Sequence, residues 1–307
     1  MHYLRTTVAG ACVAAALVAG AGNVGAAEPL TCDGRVATYV GTEGPDLIDI
    51  KGNAAQVIVA LGGDDVIRTR AGIDRICAGG GDDDVNAGGS SQDRVFGGDG
   101  DDTVSAAEFV RGEGGDDLVL GTGPNPNDLD GGPGDDQLFG GFRNDRLVGG
   151  PGNDTLRANR GVNDFSDGGD GDDSIGVVDG VLAFGGGRTV IGGPGDDTLA
   201  GGTVDAGLGN DRILGGNVVF AGPGDDVVGQ DDPADRGGRG SEIHGGDGAD
   251  VVVGTKGKDR IFGDSGDDHL SGYIGNDALD GGDGVDFCGG NSGTDTATAC
   301  ESTLDVP

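Results

Sequence analysis

Tryptophan is absent from this sequence, and aromatic residues make up only 4% of it. A chain so poor in rings lacks the material that dominates the buried area of an ordinary broad core. Cations are scarce as well: 19 Lys and Arg stand against 54 Asp and Glu, a formal net charge of -35 over 307 residues. That balance makes nucleic acid and anionic membrane surfaces poor partners, and no nucleic acid is expected. Beyond residue 27 no apolar run is long enough to span a bilayer, so no membrane insertion is expected. The catalytic signatures H-E-x-x-H and G-x-S-x-G are missing; neither "GNSGT" nor "GDSGD" meets the second. No C-x-x-C pair occurs, and His244 and His269 have no metal-binding spacing with a cysteine, which argues against zinc.

What is abundant is glycine, with 71 residues. Glycine loses the most conformational freedom on folding. Low aromatic content with a large charge of one sign is the composition of a disordered acidic chain. The alternative is a fold that cations complete. Residues 1–27 read as a signal peptide: Arg5 in a short first segment, an apolar run from Val8, and small residues in "NVGAA" before cleavage. The chain is therefore expected to be secreted. Beyond that segment four cysteines remain: Cys32, Cys77, Cys288 and Cys300. An even number in an exported chain favours disulfides. Three pairings are possible, and Cys32–Cys77 with Cys288–Cys300, one bridge near each end, is favoured.

The organising feature is a nine-residue repeat, G-G-x-G-x-D-x-U-x, where U is a large aliphatic residue. In the stretch 245–298 it holds perfect register: Asp250, Asp259, Asp268, Asp277, Asp286 and Asp295 are each nine apart. Three further units fill 131–157 and looser ones fill 60–105. Twenty aspartates fall at the sixth position, the others being Asp46, Asp65, Asp74, Asp83, Asp93, Asp102, Asp117, Asp136, Asp145, Asp154, Asp173, Asp197, Asp211 and Asp226. Between the blocks the pattern degrades, and 229–241 reads as a surface excursion. A single unit over 28–307 is expected, with an N-terminal cap over 28–59, irregular coils over 158–244 and a regular block over 245–298.

A segment x-U-x is too short for a helix and suits a three-residue strand whose middle residue points inward. Each unit is then a half-coil, and two units make a coil of eighteen residues with a turn on either side. The expected fold is all-β, a β-solenoid of stacked nonapeptide half-coils. Strands stack about 4.8 Å apart, so each turn column piles up carboxylates at roughly that spacing. Neighbours repel by about 1 kcal/mol in bulk water and by several times more near a protein surface. A cation between turns removes the conflict, and carboxylates with backbone carbonyls are hard oxygen donors suited to calcium.

In these blocks the sequence resembles the repeats-in-toxin, or haemolysin-type, calcium-binding β-roll family, over roughly 41–298. The resemblance implies a right-handed parallel β-roll with several Ca2+ ions held between successive turns. Carried over, it makes carboxylate ligands of Asp65, Asp74, Asp83, Asp102, Asp117, Asp136, Asp154, Asp173, Asp197, Asp226, Asp250, Asp259, Asp268, Asp277 and Asp286. Gly132, Gly134, Gly150, Gly152, Gly246, Gly248, Gly257, Gly266 and Gly275 would supply carbonyls or the turn shape. Arg143 departs from the pattern, and a cation there is expected to weaken or replace one metal site. The stretches "TCDGRVATYVGTEGPDLIDI" and "DFCGGNSGTDTATACE" resemble the end caps of small exported bacterial members. The family's toxins and exoenzymes usually carry a C-terminal export signal and a catalytic domain, a pattern from which this chain departs.

The function expected is a secreted calcium-binding protein with a structural, adhesive or interaction role, its partner an extracellular polysaccharide or protein, and not an enzyme. The alternative is a parallel β-helix enzyme acting on polysaccharide, with Lys256, Lys258 and Arg260 beside Asp259. A third reading, an ice- or surface-binding solenoid, needs an outward threonine ladder. Thr103, Thr155, Thr198 and Thr296 share a repeat position but are scattered. His244 and His269 read as surface turn residues, and Phe96, Phe139 and Phe262 as covers for the coil edges.

Overall fold

The computed structural model describes residues 28–306 apart from 89–91, 106–107, 122–124, 160, 162, 179–180, 183–187 and 230–239. The targeting segment expected over 1–27 and most of the excursion expected over 229–241 lie outside the described residues. Over the described residues two parallel sheets of fifteen strands each face one another, and successive strands alternate between them. This is the all-β solenoid that the repeat predicts. Among the described residues there is no helix.

The two sheets are not equivalent, which the uniform repeat does not predict. One consists mostly of six-residue strands such as Arg94–Asp99, Arg146–Pro151 and Ala278–Asp283. The other has strands of two to four residues, such as Gln137–Phe139 and Thr198–Leu199. The long strands continue past U because the glycines that open the next turn also pair in register, as Gly98 does with Gly79 and Gly150 with Gly169.

The core is thin and follows from the period of two within each strand. The long-strand sheet sends Ile58, Ile76, Val95, Val110, Leu129 and Leu147 inward. The short-strand sheet answers with Ile67, Val85, Val104, Val119, Leu138 and Leu156, and all are fully buried. Ser166 interrupts the first ladder between Leu147 and Val190. Each coil leans on its two neighbours, so stability is close to a sum of nearest-neighbour terms. Leu138→Ala is expected to cost about 2–5 kcal/mol, read by denaturant unfolding in saturating calcium.

The ends are closed differently. At the N-terminus an antiparallel hairpin, Thr31–Cys32 with Arg35–Val36, packs Cys32 with Val59, Cys77 and Phe96. Cys32 and Cys77 are disulfide-bonded with Cα atoms 5.8 Å apart. Asp33 in the hairpin turn meets Arg75 at 3.0 Å and Arg94 at 3.1 Å. Both long sheets already begin at Tyr39–Val40 and Leu47–Asp49, inside the stretch read as a cap. At the other end Cys288 and Cys300 are disulfide-bonded, their Cα atoms 6.1 Å apart. Across 158–244 the sheets continue through the irregular coils, because a coil can lengthen or shorten at its turns while U stays in register.

Candidate metal centre

The turns form two columns, one on each side of the stack. The first follows each long strand. In it stand Asp46, Asp65, Asp83, Asp102, Asp117, Asp136, Asp154, Asp173, Asp197, Asp211, Asp226, Asp250, Asp268 and Asp286, joined into one ladder. The Oδ1 atom of each aspartate from Asp65 onward accepts the backbone N–H of the aspartate one coil earlier, at 2.7–2.9 Å. Glu301 ends the ladder, its Oε2 accepting the Asp286 amide at 2.7 Å.

The second oxygen of these side chains is the unusual one. Oδ2 of Asp65, Asp83, Asp102, Asp117, Asp136, Asp154, Asp173, Asp197, Asp211, Asp226, Asp250, Asp268 and Asp286 is buried and accepts no hydrogen bond. A buried charge without a partner is among the costliest arrangements a protein can hold. Burial pushes the carboxyls of Asp102, Asp136 and Asp173 up from the ordinary 3.8 to about 8. It takes those of Asp117, Asp197 and Asp250 to about 7. The amide donated from the previous coil opposes this rise in each case, while neighbouring carboxylates add to it.

Carbonyl oxygens stack beside the carboxylates. Gly132, Gly134, Gly150, Gly152, Gly246, Gly248 and Gly266 all have positive φ. A Cβ on any of them would fall on the carbonyl of its counterpart one coil earlier. The repeat's first position is as tight, since a Cβ at Gly149 or Gly168 would meet Oδ2 of Asp154 or Asp173. Among the described residues no three His, Cys, Asp or Glu side chains converge on one point. A metal here would therefore take its carboxylates from neighbouring coils and complete its shell with backbone carbonyls. That all-oxygen set fits calcium, whose coordination is flexible, better than magnesium, which holds to a tight octahedron. The unpaired buried oxygens and the carbonyl stacks make the residues present a fit for the ion.

The second column, on the opposite side, is broken. Backbone hydrogen bonds place Asp74, Asp93, Glu108, Asn127, Asp145, Asp164, Arg188, Gly202, Asn217, Ser241, Asp259, Asp277 and Asp295 at its equivalent positions. The carboxylate ladder survives at its ends, where the Asp74 amide donates to Asp93 at 2.8 Å and the Asp259 amide to Asp277 at 2.9 Å. In its middle, Asn127 donates to Asp145 through both its amides, and Asp145 to Asp164. Gly257 and Gly275 belong to this column, and Gly275 lacks the positive φ found across the stack.

Of the fifteen aspartates expected as ligands, all are buried. Asp74, Asp259 and Asp277 stand in the second column and the other twelve in the first. Asp164 also belongs, and the motif misses it because its glycine lies three places back and Ser166 replaces the aliphatic. Its position nineteen residues after Asp145, matching the nineteen from Asp154 to Asp173, was the available signal. Arg143, expected to weaken or replace one metal site, is an exposed residue two places before Asp145. His244 and His269 are strand residues: His244 stacks between Phe220 and Phe262, and His269 on Phe287. Phe96 is buried against the N-terminal hairpin.

The stack and its aspartate-lined turns define a parallel β-solenoid. The family described as RTX calcium-binding nonapeptide repeat (4 copies) matches the chain over 52–85, 84–119, 130–164, 185–217, 203–228, 244–279 and 263–297. The chain belongs to that family and is a calcium-binding β-roll protein. No curated protein matches it. Among solved structures it is similar to a hyperactive, Ca2+-dependent, beta-helical antifreeze protein from an Antarctic bacterium. The identity is 18%, over 82% of this chain and 83% of that one, with a TM-score of 0.33. A likeness so remote bears on neither the ligand set nor the role of this chain.

Proposed function

We propose that this protein is a secreted β-roll whose fold is completed by calcium ions bound between successive turns, and that it serves outside the cell as a structural or interaction module. The observation that carries this reading is the first column: buried Asp side chains, each with one oxygen fixed by an amide and the other left over. Asp65, Asp83, Asp102, Asp117, Asp136, Asp154, Asp173, Asp197, Asp226, Asp250, Asp268 and Asp286 would be the carboxylate ligands there. Asp74, Asp259 and Asp277 would play that part in the second column. Glycine carbonyls such as those of Gly132, Gly150 and Gly248 would complete the shells. Two disulfides support an oxidising compartment. Extracellular calcium modules bind at roughly 10⁻⁴–10⁻³ M, a range that suits a secreted protein.

The test is far-UV circular dichroism of residues 28–307 titrated with calcium and then with magnesium. A cooperative gain of β signal with calcium, reversed by chelator and not reproduced by magnesium, is the expected result. A chain that is fully folded in chelator at neutral pH and indifferent to calcium would sink the reading.

A further inference from the structure

Among the described residues the carboxylates of the second column stop between Asp164 and Asp259, and the four intervening coils contribute Arg188, Gly202, Asn217 and Ser241. Arg188 is in line with the ladder: Thr189 N–H donates to the Asp164 carbonyl at 3.0 Å, and Thr203 N–H to the Arg188 carbonyl at 2.9 Å. An arginine thus occupies a position that aspartate fills elsewhere.

We propose that Arg188 is a tethered cation that takes the place of a calcium ion beside Asp164. The second column would then carry metal only in separate runs toward its two ends, while the first carries it throughout. This rests on the calcium reading above and assigns a boundary to it.

Four observations carry the inference. Arg188 is 4% exposed and Asp164 3%, so the charge is buried within the column and not displayed on its rim. Oδ1 of Asp164 accepts the Asp145 amide at 3.0 Å, the bond every ladder aspartate makes. Its Oδ2, the atom left over elsewhere, faces Arg188 Nε at 3.1 Å. The Nη2 atom of the same guanidinium donates to the Asn159 carbonyl. One carboxylate oxygen and one backbone carbonyl are thus gathered on a cation, which is the chemistry a calcium ion would meet between turns. A guanidinium stays protonated at any working pH and cannot be chelated. It also repels a divalent ion placed next to it. Beyond it, Gly202, Asn217 and Ser241 offer no charge to attract one.

The experiment uses the whole secreted chain. Bound calcium per chain is measured at saturation by equilibrium dialysis with metal analysis, and the calcium midpoint of folding by circular dichroism. Arg188→Gln is expected to raise the midpoint several-fold, because Asp164 loses its counter-charge, whereas Arg188→Lys stays near wild type. Arg188→Asp, which restores the column's usual residue, is expected to bind about one more ion than wild type. Should Arg188→Asp fail to fold, the Gln and Lys variants decide through their midpoints: a split between them supports the proposal, and equal midpoints overturn it. A wild type that binds calcium while Arg188→Gln and Arg188→Asp match it in midpoint and stoichiometry overturns this inference alone. A wild type that binds none overturns the calcium reading, and this inference with it.

Discussion

In chelator at neutral pH the chain is expected to lose most of its β structure, and acidifying the same sample to about pH 4 is expected to restore much of it without metal. Burial raises the ladder carboxyls, to about 8 for Asp102, Asp136 and Asp173 and to about 6 for Asp83, Asp154 and Asp211. In the unfolded chain they titrate near the ordinary 3.8. Between those limits the metal-free fold binds more protons than the unfolded chain. Its stability therefore falls as pH rises. The contribution is fully present below about pH 4 and is lost as the pH climbs through the range of about 6 to 8 at which these groups ionise in the fold. Protons and calcium are alternative ways to neutralise one column. At about pH 4–5, where the metal-free chain is folded and holds those protons, calcium binding is accordingly expected to release them, measurable in a weakly buffered titration. Circular dichroism against pH in chelator checks the rest. A metal-free chain that gains stability from acid to neutral pH would refute the coupling.

The first column and the core were legible in the sequence because both obey one period. Asp250, Asp268 and Asp286 recur every eighteen residues, and Val252, Leu270 and Cys288 follow two places behind, which fixes the aspartate-bearing turn side and the inward side together. The inequality of the two sides was not legible. The motif reads alike in both half-coils, whereas strand length and turn shape are settled by how successive turns stack. Positive φ is a case in point. Leu61, Glu113 and Asp264 adopt it at a position the repeat reserves for glycine. Their backbones pair with Gly79, Gly98 and Gly246, so the stack holds the strained conformation in place. Arg188 was hidden for a related reason. "GGGRTV" contains no aspartate, and only the ladder shows that its arginine stands where one belongs.

That dominance of stacking over local motif makes one glycine substitution severe and another harmless. Gly266→Ala is expected to destabilise the calcium-loaded protein by more than about 4 kcal/mol, while Gly52→Ala is expected to be neutral or stabilising by about 0.4–1 kcal/mol. Both add one methyl group to a turn. Gly52 has open space around it and no positive φ, so alanine there only narrows the unfolded ensemble. Gly266 has φ +138°, and its Cβ would fall on the Gly248 carbonyl. Relief means prying apart two coils held by the Gly248 N–H bond to the Ser265 carbonyl at 2.7 Å and by the Asp250 amide on Asp268 at 2.9 Å. The same movement would separate oxygens that a calcium ion between those turns has to share. The damage is therefore expected to appear twice, as lost stability and as a raised calcium midpoint. Because each coil leans only on its neighbours, the coils beyond 266 are expected to melt before the rest, which hydrogen exchange would resolve coil by coil. Equal stabilities and equal calcium midpoints for Gly266→Ala and Gly52→Ala would show that the turn carbonyls neither pack nor bind as the stack implies.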